Sequence, residues 1–433
     1  MSPVLELPTL PTLPATTGRV PLGWLGTPRL LRETDRRDLT EYGQHFAVHG
    51  ALGSPSRDQL IALLEAGGLL GRGGAGFPLA TKVRSLRRDD RPVVVVNGCE
   101  GEPASAKDTA LLTAVPHLVL DGAAMIAEAT GATSVIVAVT DASTERAVAA
   151  ALRSRPDRER FAVRRLVDRF VTGEARALIA GLNGAMPVPP GRRTLPTQAG
   201  VGGAPTLLSN AETFAQLAVL ARVGPVEFAG SGTAAEPGTT LLTVTGAVVR
   251  PMVLEVPHGV SLGAVAEMTG AVRSQAVVIG GFHGSWLEPD PTIVLSRAAL
   301  TARRATLGAG GVGFVGEQTC GLAELSRVAG WLASQSARQC GPCAFGLPAL
   351  ADGLAQVVSG RGRSEIVERQ ASIVVGRGAC AHPDGASRFV LSGLRVLAPE
   401  VRRHLAGGGC GRDDHGHLPL TREHAFRSVG VAR

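Results

Sequence analysis

Three cysteines in the last third of the chain offer the clearest chemistry. Cys340 and Cys343 form a C-x-x-C in SQSARQCGPCAFG, and Cys380 stands in GRGACAHPDGA. Thiols spaced this way beside glycine and proline grip iron or zinc, but a closed tetrahedral site needs four ligands. A second stretch, GRGGAGFPLATK (71–82), is too rich in glycine to be regular. Its missing side chains let a flat or phosphorylated group approach the main chain, although such a loop alone reads first as a structural turn. A third, NGCEGEPASAKD (97–108), places Glu100 and Glu102 two apart. They are either a solvated charged loop or acceptors for a ligand's ring nitrogen and hydroxyls. Rare residues sharpen the picture. Lys82 and Lys107 are the only lysines, and each lies just after one of these two loops; of three asparagines, Asn97 ends a strand and Asn210 stands in LLSNAET.

The elements around these residues alternate. DQLIALLEAGGLL (58–70) has apolar residues at helical spacing and ends on glycine. RPVVVVNGCEGEP is a β-branched run that stops at Asn97, as a buried parallel strand with a functional loop at its carboxyl end does. PHLVLDGAAMIAEATGA reads as helix, ATSVIVAVTD as strand, ASTERAVAAALRSR as helix, FAVRRLVDRF as a further strand and GEARALIAGLNG as helix. This alternation predicts a doubly wound α/β domain. The composition shifts at SGTAAEPGTT (231–240), β signals follow to about residue 300, and helices dominate from 323. The predicted division is an N-terminal arm (1–55), an α/β domain (56–232), a small β-rich domain (233–300) and a helical domain (301–433).

Bulk properties narrow the function classes. With 433 residues and 56 glycines the chain holds several domains rich in tight turns. The net charge of +7 is carried almost wholly by dispersed arginine, and the chain has a single tyrosine, Tyr42. Nucleic-acid binding, which favours clustered cations and aromatic platforms, is therefore disfavoured. An acidic protein partner fits the charge equally well. No run of about 18 uncharged apolar residues indicates a membrane span. The N-terminal MSPVLELPTLPTLPATTG lacks the pattern of a signal peptide, and six irregularly spaced cysteines do not form a secreted disulfide framework. A cytoplasmic protein with reduced thiols is expected.

Taken in order, GRGGAGFP…K, NGCEGEP…KD, GEARAL, APTLLSNAET, the C-x-x-C and GRGACAHPDGA resemble the flavin-bearing, NADH-binding (51-kDa-type) subunit of respiratory complex I. They are equally similar to its relatives in NAD-reducing hydrogenases and formate dehydrogenases. The likeness covers roughly residues 60–400. It implies a Rossmann-like FMN-binding domain, then a small β-grasp-like soluble-ligand-binding (SLBB) domain, then a C-terminal helical bundle with an iron–sulfur cluster. By resemblance, Gly71, Gly73, Gly74, Gly76, Lys82, Asn97, Glu100, Gly173, Glu174, Ser209 and Asn210 hold FMN. Phe77, Lys82 and Glu102 face the nicotinamide nucleotide, with Lys82 and Glu102 catalytic. Cys340, Cys343 and Cys380 are the cluster ligands. The implied activity is NAD(P)H oxidation by FMN, with single electrons passing through the cluster to a ferredoxin-like or quinone-reductase partner.

The chain departs from the family at telling places. The first of three family cysteines falls on Ala337, which has no donor atom. Either a [3Fe–4S] cluster forms, or a distant ligand (Cys320, Cys410, His382 or Asp384) completes a [4Fe–4S] site, or no cluster is held. Zinc on three cysteines and a histidine is a further alternative, with His415 and His417 as other donors. An aspartate of the strand-end loop becomes Cys99, a second glutamate becomes Ala175, and aromatic positions fall on Ser85, Phe170 and Leu195. Loss of the carboxylate at Ala175, with Arg176, Arg192 and Arg193 following, relaxes the preference toward NADP(H) or abolishes nucleotide binding. The competing reading is a non-catalytic FMN- or ligand-binding scaffold of the same fold.

Overall fold

A computed structural model describes residues 20–87, 91–191, 194–407, 409–421 and 425–426. Four strands, β2 (Val93–Gly98), β3 (Ser134–Val139), β4 (Phe161–Arg165) and β5 (Thr206–Asn210), form a parallel sheet in the order β4-β3-β2-β5. From β2 the chain first builds outward to β3 and β4, then returns to add β5 on the opposite side. The direction of growth therefore reverses between β2 and β5, and a crevice opens outside the carboxyl ends of strands at such a point. Val94, Val95 and Val96 of β2 are fully buried, as expected of a central strand covered on both faces. Helices Pro116–Thr130 and Ala211–Ala229 pack against each other so closely that a Cβ on Gly122 would stand 1.9 Å from the Phe214 carbonyl oxygen.

The N-terminal part is less irregular than expected. Tyr42–His49 forms a helix, and His45 on it bonds Asp121 at 2.8 Å. Asp121 also receives Arg155 at 2.7 Å and Arg222 at 2.6 Å. Although burial alone would raise it, the His45 hydrogen bond and the two guanidinium groups hold its carboxyl below the usual carboxylate range.

A second, mixed sheet has six strands in the order β1-β7-β6-β10-β8-β9. They are β1 (Leu22–Trp24), β6 (Thr239–Gly246), β7 (Met252–Pro257), β8 (Ser274–Ile279), β9 (Ser285–Leu287) and β10 (Gly311–Gly316). Two of these lie outside residues 233–300, to which the β signals pointed. β10 is inserted centrally, parallel to β6 and antiparallel to β8, and β1 from the arm pairs parallel with β7. Three glycines in GVGFVG depress strand propensity, and a three-residue edge strand leaves almost no periodicity to read.

Beyond the second sheet, helices Gly321–Ser334, Leu347–Val358, Ser364–Val374, His382–Val396 and Ala398–Leu405 pack around Leu325, Leu350, Phe389 and Val390. A wide turn, Pro342–Gly346, carries the C-x-x-C into this layer. Among the described residues no single helix is long and apolar enough to cross a membrane.

Candidate functional site

The site begins where the growth of the parallel sheet reverses. Asn97 on β2 and Asn210 on β5 are register partners at the carboxyl ends of their strands. The Asn97 side chain donates to the Gly173 carbonyl at 2.9 Å and accepts from the Cys99 amide at 3.1 Å, so it fixes two loops at once. Gly173 has to be glycine, because a Cβ there would lie 2.7 Å from the Cys99 carbonyl oxygen. Asn210 caps helix Ala211–Ala229 by accepting from the Glu212 amide at 3.1 Å. Ser209 precedes it, buried in the sheet.

Lys107 organises the charges here and is only 2% exposed. Its ammonium donates to Asn210 at 2.7 Å and pairs with Asp108 at 2.8 Å and Glu212 at 3.2 Å. Burial pulls its pKa down, but Asp108 and Glu212 more than offset this, and Lys107 stays charged. Glu100 accepts from the amides of Asp108 and Thr109, both at 3.1 Å, and from the Ser105 and Thr109 hydroxyls. It thereby holds the N-terminus of helix Lys107–Ala114.

The glycine loop is held from behind by two arginines that sequence reasoning passed over. Buried Arg72 donates to the Leu70 carbonyl at 2.8 Å and the Thr239 carbonyl at 3.2 Å, and its amide donates to Thr213 at 2.9 Å. Arg297 donates to the carbonyls of Gly74 at 3.1 Å and Gly71 at 3.3 Å, and pairs with Glu236 at 3.1 Å. The base of the loop closes on itself, Gly71 N–H to Phe77 O at 3.0 Å. Among the described residues, the amides of Gly73, Gly74, Ala75 and Gly76 donate to no protein acceptor. In a chain with 44 cationic residues, neither arginine could be singled out from sequence.

These residues suit a flat, phosphorylated cofactor such as FMN. Gly74 and Gly76 have φ of 96° and 63°, where glycine is needed for conformation alone. Gly73 has no such need. Its φ lies outside the left-handed region, and a Cβ would meet nothing closer than the Asn210 Cβ at 3.5 Å, an ordinary contact. The missing side chain keeps open the space over the strand ends. Four unpaired amides meet the need of a phosphate for donors.

Lys82 donates to the Leu208 carbonyl at 2.9 Å, near the end of β5, and burial lowers its pKa. Phe77 is 49% exposed at the lip of the glycine loop, free to offer a ring face. Glu102 is buried and bridges to the second sheet, accepting from the Phe282 amide at 2.9 Å. Burial pushes its carboxyl up to about 7, against the opposing pull of the Phe282 and Ala104 amides. Glu174 caps helix Ala175–Leu182 through the Arg176 and Ala177 amides, both at 3.0 Å. The Arg176 guanidinium is itself engaged, by Glu174 at 3.0 Å and the Ala379 carbonyl at 3.4 Å. Arg192 and Arg193 lie outside the described residues. Leu195 and Ser85 are exposed, and Phe170 packs edge-on against His283 at 4.5 Å and Trp331 at 5.4 Å.

Cys340, Cys343 and Cys380 come together where the helical layer meets the α/β domain. Burial and then the neighbouring Cys340 push the Cys343 thiol up to about 12, while the Ala337 amide donates to it. Cys380 feels Cys340 on one side and the Glu174–Arg176 pair on the other, with burial raising its pKa overall. The three thiols thus influence one another, and Ala337 offers them only its backbone amide. All four of the expected substitutes fail. Cys320 caps the far end of helix Gly321–Ser334, about 20 Å away at 1.5 Å per residue, and Cys410 lies beside it. His382 is spent on the Leu332 carbonyl at 3.0 Å and on His283 at 2.9 Å. Asp384 holds the Gly376 amide at 2.8 Å.

Comparison with known proteins agrees with this geometry. Residues 64–219 match the Nuo51 FMN-binding domain family, and residues 323–404 match the NADH-ubiquinone oxidoreductase-F iron-sulfur binding region. The F-type subunit of the NADH-quinone oxidoreductase of Mycobacterium tuberculosis strain H37Rv is 29% identical over 433 residues, covering 91% of this chain and 96% of the relative. The NADP-reducing hydrogenase subunit HndC of Solidesulfovibrio fructosivorans is 27% identical, covering 81% of this chain and 77% of that one. Among solved structures, the NAD+-reducing [NiFe]-hydrogenase in the H2-reduced state superposes with a TM-score of 0.76 at 26% identity, over 91% of this chain and 69% of that chain. With a flavin domain and an iron–sulfur region in the family's order, the chain is a divergent relative of the 51-kDa-type, FMN- and NADH-binding subunit of complex I and the NAD-linked hydrogenases.

Proposed function

We propose that this protein is the electron-input subunit of a multi-subunit NADH oxidoreductase, with FMN seated on the glycine loop over the ends of β2 and β5. Bound there, FMN supplies hydride acceptance from the nicotinamide and release of single electrons. The protein's residues supply position and field. The free amides of residues 73–76 bind the phosphate. Asn97 and Asn210 set the floor of the crevice, and Lys107, paired with Asp108 and Glu212, holds Asn210 in place. Phe77 gives the nucleotide a surface to stack on. Glu102, poised near neutrality, holds or yields a proton beside the Phe282 amide. We take NADH as the donor, because Arg176, one of the arginines that favoured a 2′-phosphate, is already bound by Glu174.

The cysteine side supports a cluster with three thiolate corners, on Cys340, Cys343 and Cys380, as a [3Fe–4S] or an incompletely ligated [4Fe–4S] centre. Exposed Phe345, Ile373 and Val375 lie around this turn and give an iron–sulfur partner a surface on which to dock. We assign residues 56–232 to flavin, the second sheet to an SLBB-like unit and the helical layer to the cluster, in a cytoplasmic protein.

The observation that carries this reading is Gly73, a glycine that neither the backbone nor its neighbours require. An anaerobic absorbance spectrum tests it. Flavin bands that bleach with NADH support the proposal; a colourless protein after incubation with excess FMN overturns it. Flavin bands that neither NADH nor NADPH bleaches return the non-catalytic scaffold.

A further inference from the structure

Away from the flavin crevice, four metal-binding side chains converge at the opposite end of the helical layer. Cys320 caps helix Gly321–Ser334, its sulfur accepting from the Ala323 amide at 3.3 Å. Glu400 and His404 are one turn apart on helix Ala398–Leu405, and so share a face. Cys410 comes from the segment 409–421, which has no helix or strand of its own. One donor atom from each of the four lies within 4.8 Å of all the others, and Cys320, Glu400 and His404 are buried.

The geometry is that of a small ion. With zinc–sulfur bonds of about 2.3 Å and zinc–nitrogen bonds of about 2.05 Å at tetrahedral angles, sulfur and nitrogen stand about 3.5 Å apart. The Cys320 sulfur is 3.4 Å from His404 Nε2. The tautomer is fixed from the other side of the ring. His404 Nδ1 meets the Val358 carbonyl at 2.6 Å, and a carbonyl only accepts, so Nδ1 carries the proton and the Nε2 lone pair points at the cysteine. Glu400 is oriented by Arg412 at 3.1 Å and by the Leu322 amide at 3.3 Å. Oriented ligands with outer partners are the arrangement of a metal centre. The mix of two thiols, an imidazole and a carboxylate selects zinc over calcium or magnesium.

We propose that Cys320, Glu400, His404 and Cys410 bind one Zn²⁺ as a structural staple. It ties the C-terminal segment to the two helices it crosses, independently of the iron site about 20 Å away. Binding displaces the two thiol protons, and the metal takes both thiolates, the imidazole lone pair and one carboxylate oxygen.

The test is iron and zinc analysis of the full-length protein as purified, wild type against Cys410→Ser, His404→Gln and Cys340→Ala. The expected result is about one zinc per chain in wild type, lost in the first two variants with iron retained, and kept in Cys340→Ala while iron falls. Because a zinc-free variant could misfold, the wild type is also probed directly. Iodoacetamide should modify Cys320 and Cys410 only after a chelator is added, and Co²⁺ exchange should give thiolate charge-transfer bands. No zinc in the isolated protein and none taken up from an equimolar addition would overturn the proposal. So would zinc that survives Cys410→Ser, or a mass showing Cys320 and Cys410 joined as a disulfide.

Discussion

Replacing Glu102 by glutamine should change how stability depends on pH, and the size of the effect follows from burial. The carboxyl is 8% exposed, and burial shifts its pKa from 4.5 to about 7 in the folded protein. Between these values the folded protein keeps a proton that the unfolded chain has released. Stability therefore falls as pH rises through this window, and the loss is complete above it. The full penalty is about 3 kcal/mol at ~1.4 kcal/mol for each pH unit between the two values, an upper figure because water entry relaxes it. Glu102→Gln keeps an oxygen for the Phe282 amide and cannot ionise. In flavin-free protein the variant and wild type should melt together near pH 4.5, and the variant should melt several degrees higher at pH 8. A domain of ordinary size gains about 2–4 °C per kcal/mol. The assay is thermal melting of both proteins at half-unit steps from pH 4.5 to 9. A difference that stays flat across this range, or a variant less stable at pH 8, would refute the buried-acid argument.

Other consequences are more local. Arg297→Ala removes two hydrogen bonds to loop carbonyls and strands buried Glu236, so FMN affinity should fall about 10- to 100-fold, for a loss of about 1–3 kcal/mol, in a fluorescence titration. Phe77→Ala should raise KM for NADH about 3- to 10-fold with kcat nearly unchanged, since it removes stacking common to ground and transition states. Cys343→Ala or Cys380→Ala should lose iron while FMN is retained, by metal analysis and absorbance of the same sample. Ala337→Cys supplies the missing corner and should raise iron toward about four per chain, with a corresponding change in the paramagnetic resonance spectrum.

The α/β unit was legible because its strands are short β-branched runs separated by helices of clear periodicity. Asn97 and Asn210 could be singled out because the chain uses asparagine so sparingly. The converse explains what was hidden. Arg72 and Arg297 hold the glycine loop, yet arginine is the commonplace cation here, so neither carries a compositional signal. Glu100 also holds a helix end, a role that depends on which amides fold back to it. Cys320 and Cys410 were considered as partners of Cys340. Only the length of the intervening helix separates them, and only the fold unites them with Glu400 and His404. Strand β10 carries little sequence signal because a glycine-rich run paired on both sides gains its stability from pairing rather than from its own propensity.

The central claim is that the open space beside Gly73 is kept for FMN. The direct test is calorimetric titration of flavin-free wild type and Gly73→Val with FMN, with melting curves run alongside. A Cβ at this position meets only the Asn210 Cβ at 3.5 Å, and the melting curves show whether the two γ-methyl groups disturb the fold. The expected result is one tight site in wild type, and binding weakened at least about 100-fold, or ~2.7 kcal/mol, in a variant with an unchanged melting temperature. Equal affinity in the two proteins, or no heat of association in wild type, would contradict the account.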